Sequence, residues 1–183
     1  MNNVMNDEGG IMETIRAINE RRSIRKFKSI DIEENILSIL LNAAQMAPSA
    51  GNMQGRDYII VTDREIKKQL VKASSDQKFI DQAPIIIIFV ANIERSSSRY
   101  GGRGILYAIQ DATSSVINLM LTAHDLGLGT CWIGAFDEDS VKTILKIPIN
   151  LKPVAIIPVG YPDETPIAPH RLDLEKLLHW QTW

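Results

Sequence analysis

Four cations surround one hydroxyl in RRSIRKF, residues 21–27. Arg21, Arg22 and Arg25 flank Ser23 where the chain leaves a predicted helix, so guanidinium forks and a hydroxyl can converge on one phosphate through charge-assisted hydrogen bonds. On composition alone the cluster is equally a solvated turn, because clustered surface arginines are common and exposed ion pairs contribute little. Arg171 is a separate candidate for the same anion. A second group lies in PSAGNMQG, residues 48–55. There Ser49, Asn52 and Gln54 offer short or flat polar groups that can donate and accept along the edge of a planar heterocycle. Taken alone, the stretch reads as a helix-terminating loop that satisfies its own backbone. The third is the glycine-bearing corner Gly127 to Gly134, where backbone N–H groups can approach a ligand, although a plain helix cap and turn has the same composition.

Other chemistries find little support. His124, His170 and His179 lie far apart and follow no H-E-x-x-H or Cys/His zinc spacing, so no metal site is expected. Cys131, the single cysteine, opens an apolar strand without an adjacent base and reads as a buried small hydrophobe. No nucleophile elbow or P-loop is present. Gly127, Gly129 and Gly134 follow a helix rather than a strand and miss the G-x-G-x-x-G spacing, which excludes a dinucleotide fingerprint there. With 20 Lys+Arg against 22 Asp+Glu the net charge is -2, too little for a nucleic-acid-binding field. One cysteine, no secretory leader and no apolar run near the roughly 20 residues of a spanning helix lead to an expected cytoplasmic location.

The elements that must position these groups follow from periodicity. Ile105, Ile109, Ala112, Val116, Leu119, Ala123 and Leu126 recur three and four apart, which predicts one long helix from Ile105 to Leu126. A second apolar row, Leu106, Thr113, Ile117 and Leu121, leaves Asp111, Ser115, Asn118, Thr122 and Asp125 on a thin polar stripe. Such a helix is buried nearly all round, in a core or a subunit interface. A helix from near Ile11, with Ile15 and Ile18 inward, leads into the basic cluster. Asp31 is the expected cap of the next helix, whose inner face is Ile36, Leu37, Leu40 and Leu41 and which Pro48 ends. Strands are predicted over 57–62, 84–91 and 153–161, with Pro158 suited to an edge or bulge. Helices are predicted over 64–73 and 137–147, and a short one in the tail. Residues 94–104 read as a mobile polar loop. Residues 1–10 are an expected flexible extension and 11–183 a single domain, with an α+β fold of three layers, α/β/α, around a mixed sheet of about four or five strands.

RRSIRKF, APSAGNMQ and LGLGTCWIG, in that order and spacing, resemble the FMN-dependent nitroreductase family from about Glu13 to the C-terminal region. The resemblance implies a homodimer with FMN at each subunit interface and NADH or NADPH as electron donor. It assigns Arg21, Arg22, Ser23 and Arg25 to the flavin phosphate and pyrimidine edge, with Arg25 also stabilising charge at N1/O2. Ser49, Asn52 and Gln54 come from the partner, the backbone of Gly134 and Ala135 lies by the reactive N5, and Arg171 meets the phosphate. It implies a ping-pong passage of hydride from NAD(P)H through flavin N5 to a nitroaromatic or quinone, with no side-chain nucleophile and with segment 94–104 as a candidate lid. Gly55-Arg56 stands where many relatives have Pro-Trp, Asp76 aligns loosely with an asparagine near the flavin, and His170-Arg171 follows Pro169 where two cations are usual. A flavin-binding or storage protein without turnover, and a dimeric anion-binding interaction protein, are the alternatives.

Overall fold

The computed structural model describes residues 14–183; the expected extension over 1–10 and the helix start near Ile11 lie outside them. At the centre is strand β2, Ile85–Ala91, every residue of which is buried. It pairs antiparallel with β1, Arg56–Val61, on one side and with β4, Lys152–Gly160, on the other. A two-residue β3, Gly129–Thr130, completes the order β1-β2-β4-β3. All pairs between these strands are antiparallel, and among the described residues the parallel component of the expected mixed sheet is one isolated bridge between Ser23 and Thr130.

The strand period of two divides the apolar run of β2 between two cores. Ile85, Ile87 and Phe89 face one core with Leu40 and Ala44 of helix α2, Glu34–Gln45, and with Val116 and Leu119 of helix α5, Gly104–Asp125. Ile86, Ile88 and Val90 face the other, with Leu70 of helix α3, Arg64–Ala73, and Val141 of helix α6, Glu138–Leu145. The result is the expected three-layer α+β arrangement. Full burial of each such side chain stabilises the fold by about 1.5–3 kcal/mol.

The structure corrects several local expectations. Helix α1, Thr14–Glu20, buries Ala17 and leaves Ile15 and Ile18 exposed, so their inward assignment fails. Asp31 does not cap α2; Glu33 holds that position without a side-chain bond. Residues 94–104 are not a loose loop. They form helix α4, Ile93–Tyr100, and a short turn, Gly101–Arg103, leading into α5. The Asn92 side chain accepts the Arg95 N–H at 2.9 Å, and buried Ser96 packs inward, so capping and packing override a serine-rich composition. In α5 the apolar row Ala108, Ala112, Val116, Leu119 and Ala123 is buried, but so are Asp111 and Ser115 of the expected polar stripe, while Ile105, Leu106 and Ile117 are exposed. Pro158 lies inside the sheet rather than at its edge. It falls between the Val159–Thr130 pair and the Ile156–Ile133 bridge, where the ladder on the β3 side is interrupted and an N–H can be spared. The tail carries one 3-10 turn, Leu174–Leu177, in place of the predicted helix.

Candidate functional site

The basic segment leaves α1 and runs beside β3. Ser23 bridges Thr130, and the Ile24 N–H donates to the Thr130 carbonyl at 2.9 Å. Gly129 makes this approach possible: a Cβ there would lie 2.7 Å from the Ile24 side chain, closer than packed carbon atoms come. From the other side, the Glu164 carboxylate accepts the backbone N–H groups of Arg25 and Lys26. The segment is thereby fixed along its length, with Ile24 and Phe27 packed into the core and Arg21, Arg22, Ser23 and Arg25 presented to one place.

That place is a cavity of about 280 Å³ lined by Arg21, Arg22, Ser23, Arg25 and Arg171, with prolines and Ile167 of the tail. Among the described residues, four guanidiniums and no carboxylate line it. Arg22 is partly committed to the end of α1, where its Nη1 donates to the Asn19 and Arg21 carbonyls at 2.6 and 2.9 Å. Arg21 is not. Its Nη1 is buried and has no hydrogen-bond partner among the described residues. Burial, then the charges of Arg171 and Arg22, hold its pKa below the usual arginine value. An orphaned buried donor of this kind costs on the order of 1–3 kcal/mol unless something accepts from it. A phosphate monoester would supply the acceptors and offset the mutual repulsion of the cations. An adjoining cavity of about 550 Å³ shares Arg21 and Arg22 but is also lined by Glu20 and Glu164, which suits an anion less well.

Gly134 and Ala135 are exposed in the connection between β3 and α6. The Ala135 carbonyl accepts from Gln77 Nε2 at 3.3 Å, and the same amide reaches the Ser74 carbonyl at 3.0 Å. Gln77 is therefore the amide beside this corner, one position beyond Asp76, where the sequence alignment was loose. Cys131 is buried, and burial raises its pKa, as expected of a packing residue. Among the described residues no cluster of His, Cys, Asp or Glu has the makings of a metal site.

Ser49, Asn52 and Gln54 do not line the cation cavity of their own chain. Their loop follows α2 and is held by two buried charges that sequence reasoning missed. Asp111, 3% exposed, accepts the N–H groups of Ala50 and Gly55 at 2.9 and 3.0 Å. Arg56, 4% exposed, donates to the carbonyls of Gln45, Ala47 and Pro48 at 2.7, 2.8 and 3.3 Å, satisfying the end of α2. Arg95 adds bonds to the Gln54 and Arg56 carbonyls and an ion pair with Asp57 at 2.9 Å. Within the loop, Ser49 Oγ accepts the Gln54 N–H at 3.0 Å. Asn52 and Gln54 take left-handed φ of 58° and 51°, a conformation that needs this external support. Asp111 and His124, the latter beside Arg21 and Arg22, lie thirteen residues apart on α5. At 1.5 Å per residue that separates the two groups by about 20 Å along the helix axis. One signal for Asp111 existed in the sequence, a carboxylate inside an apolar helix, but periodicity placed it on the solvent stripe.

Residues 18–78 and 75–161 match the Nitroreductase family. A relative from Methanothermobacter thermautotrophicus is 33% identical over 174 residues, covering 90% of this chain and 88% of the relative. The FMN reductase (NAD(P)H) of Bacillus subtilis is 28% identical, with 93% of this chain and 74% of the enzyme covered. The solved structure of the NADPH:FMN oxidoreductase of Vibrio harveyi with NAD+ aligns with a TM-score of 0.86 at 25% identity, over 93% of this chain and 77% of that one. With the family matched over more than half of its length and the same layered fold in the solved relatives, this chain belongs to the nitroreductase family.

Proposed function

We propose that the chain is an FMN-dependent NAD(P)H oxidoreductase acting as a homodimer in the cytoplasm. Each flavin lies between the cation cavity of one protomer and the 48–55 loop of its partner. Hydride enters from NAD(P)H and electrons leave to a planar acceptor such as a nitroaromatic or quinone, in two successive exchanges at one pocket. Membership of the family carries the coarse activity. The observation that carries the site is the buried Nη1 of Arg21, without a partner among the described residues, in a cavity that those residues line with four guanidiniums and no carboxylate.

FMN, when bound, supplies the redox chemistry at its N5. Arg21 and Arg171 would hold the phosphate, with Arg22 and Ser23 beside them. Arg25, free of a carboxylate partner on its guanidinium among the described residues, would stabilise negative charge on the bound flavin. The backbone of Gly134 and Ala135, steadied by Gln77, would border the flavin's reactive centre. No side chain acts as a nucleophile. Two observations support the dimer. The loop is about 20 Å along α5 from the cavity it would complete. Ile15 and Ile18 of α1, Ile117 of α5 and Leu172, Leu174, Trp180 and Trp183 of the tail are apolar side chains left exposed among the described residues of one chain. No helix among the described residues is long and apolar enough to cross a membrane.

The test is the absorption spectrum of the purified protein. Bound FMN that bleaches on anaerobic addition of NADH or NADPH is expected. A colourless protein that takes up no FMN would contradict the proposal.

A further inference from the structure

Helix α4 and the start of α5 carry a feature that the flavin site does not use. Arg99 stacks over Tyr100 with 5.5 Å between Cζ and the ring centroid, Tyr100 meets Tyr107 edge to face at 4.9 Å, and Arg103 stacks over Tyr107 at 5.2 Å. The four side chains form a ladder, guanidinium, ring, ring, guanidinium. Arg103 Nε also donates to the Tyr107 hydroxyl at 2.9 Å, and Arg99 Nη1 to the Gly51 carbonyl at 3.3 Å. The Tyr100 hydroxyl lies against Gly51, whose φ of +52° and missing Cβ make room for it. The ladder is thus anchored to the 48–55 loop.

Both guanidiniums are exposed, and neither is ion-paired among the described residues, whereas their neighbour Arg95 is paired with Asp57. Stacking on tyrosine fixes a guanidinium while leaving its outer donors free, so binding an anion immobilises little further side-chain freedom. Two pre-set cations at the ends of an aromatic pair suit a ligand with two separated anionic groups and a planar ring. The reductant of the proposed reaction has a form of this kind. The adenosine half of NADPH carries a diphosphate at one ribose carbon and a phosphate at another, next to adenine.

We infer that the Arg99–Tyr100–Tyr107–Arg103 ladder binds the adenosine phosphates of the nicotinamide donor and selects NADPH over NADH. The inference rests on the proposed placement of the 48–55 loop beside the partner's flavin, which would put the ladder at the mouth of that pocket.

Two measurements test it, one of which needs no turnover. In calorimetric titration of the purified protein at low salt, adenosine 2′,5′-bisphosphate should bind at least about tenfold more tightly than 5′-AMP, and Arg99→Gln/Arg103→Gln should abolish the difference. Steady-state kinetics should give a larger kcat/KM for NADPH than for NADH, and the double variant should lower that ratio about tenfold or more, mainly through KM. Equal binding of the two nucleotides, or discrimination that survives in the double variant, would overturn the inference. Failure to hold FMN would instead count against the proposed function, since the nucleotide titration reads the ladder directly.

Discussion

Replacing Asp111 with Asn changes one atom and should release the 48–55 loop. The carboxylate receives two backbone N–H groups, from Ala50 at 2.9 Å and Gly55 at 3.0 Å. In Asn one of these meets a neutral carbonyl and the other meets an NH₂, so a charge-assisted bond is lost and a donor faces a donor. A hydrogen bond to a charged group contributes roughly 1.5–3 kcal/mol, and a buried donor left unsatisfied costs about 1–3 kcal/mol. Gly55 and Asp111 are both buried, so water gives little relief. The sum for Asp111→Asn is on the order of 3 kcal/mol, or roughly 6–12 °C in Tm for a chain of this size. Asp111→Ala, which strands both N–H groups, should cost more. Urea denaturation of FMN-depleted protein at fixed concentration avoids the stabilisation that bound ligand would add. A change below about 0.5 kcal/mol in both variants, the range of ordinary surface substitutions, would refute the reasoning.

Other consequences are as specific. Arg21→Ala should weaken FMN retention by about 1.5–3 kcal/mol, roughly 10- to 150-fold in Kd, measured by fluorescence titration; an unchanged Kd would place the phosphate elsewhere. Arg56→Met should lower stability by about 2 kcal/mol or more, because three carbonyls at the end of α2 lose their donor; equal denaturation midpoints and slopes would contradict this. Burial holds the His124 pKa below its ordinary value, so the folded state favours the neutral ring. That contribution is complete above the unfolded pKa of about 6.5 and is lost as pH falls below it, so stability should decline on mild acidification less steeply in His124→Gln than in the wild type. The Cys131 thiol is buried with a raised pKa and should resist iodoacetamide in native protein but react on unfolding; rapid native labelling would show it accessible.

The layered fold was legible because its signals are local. An unbroken apolar run in β2 announces a strand covered on both faces, and the 3.6-residue period announces α5. Which way α5 turns its faces was not legible, since Asp111 and Ser115 are buried by what packs on them and the polarity of the residues alone points outward. The same limit explains Ile15 and Ile18, whose apolar character asks for cover without saying where it is found, and which are exposed among the described residues. The cation cavity was readable in Arg21, Arg22, Ser23 and Arg25 as a cluster with Arg171 as a separate candidate, but it is the path of the tail that brings Arg171 to the others, and Glu164 holds the cluster's backbone from a distance of more than a hundred residues in sequence. Segment 94–104 misled because serine and glycine lower helix propensity, while the Asn92 cap and packing against α5 set the outcome. The arginines at 99 and 103 looked like loop polarity until helix geometry set them over their tyrosines.

A mixed dimer tests the central claim most directly, namely that each flavin is held by the arginines of one chain and the loop of the other. Chains carrying Arg21→Ala are co-expressed with chains carrying Asn52→Ala/Gln54→Ala, under two affinity tags that isolate the mixed species, and bound FMN is measured from absorbance. If sites form across the interface, the mixed dimer has one intact site and one with both defects, and it should retain about one FMN per dimer while both parent dimers retain far less. If each site lay within a single chain, every site in the mixed dimer would carry a defect, and FMN retention no better than that of the parents would contradict the account.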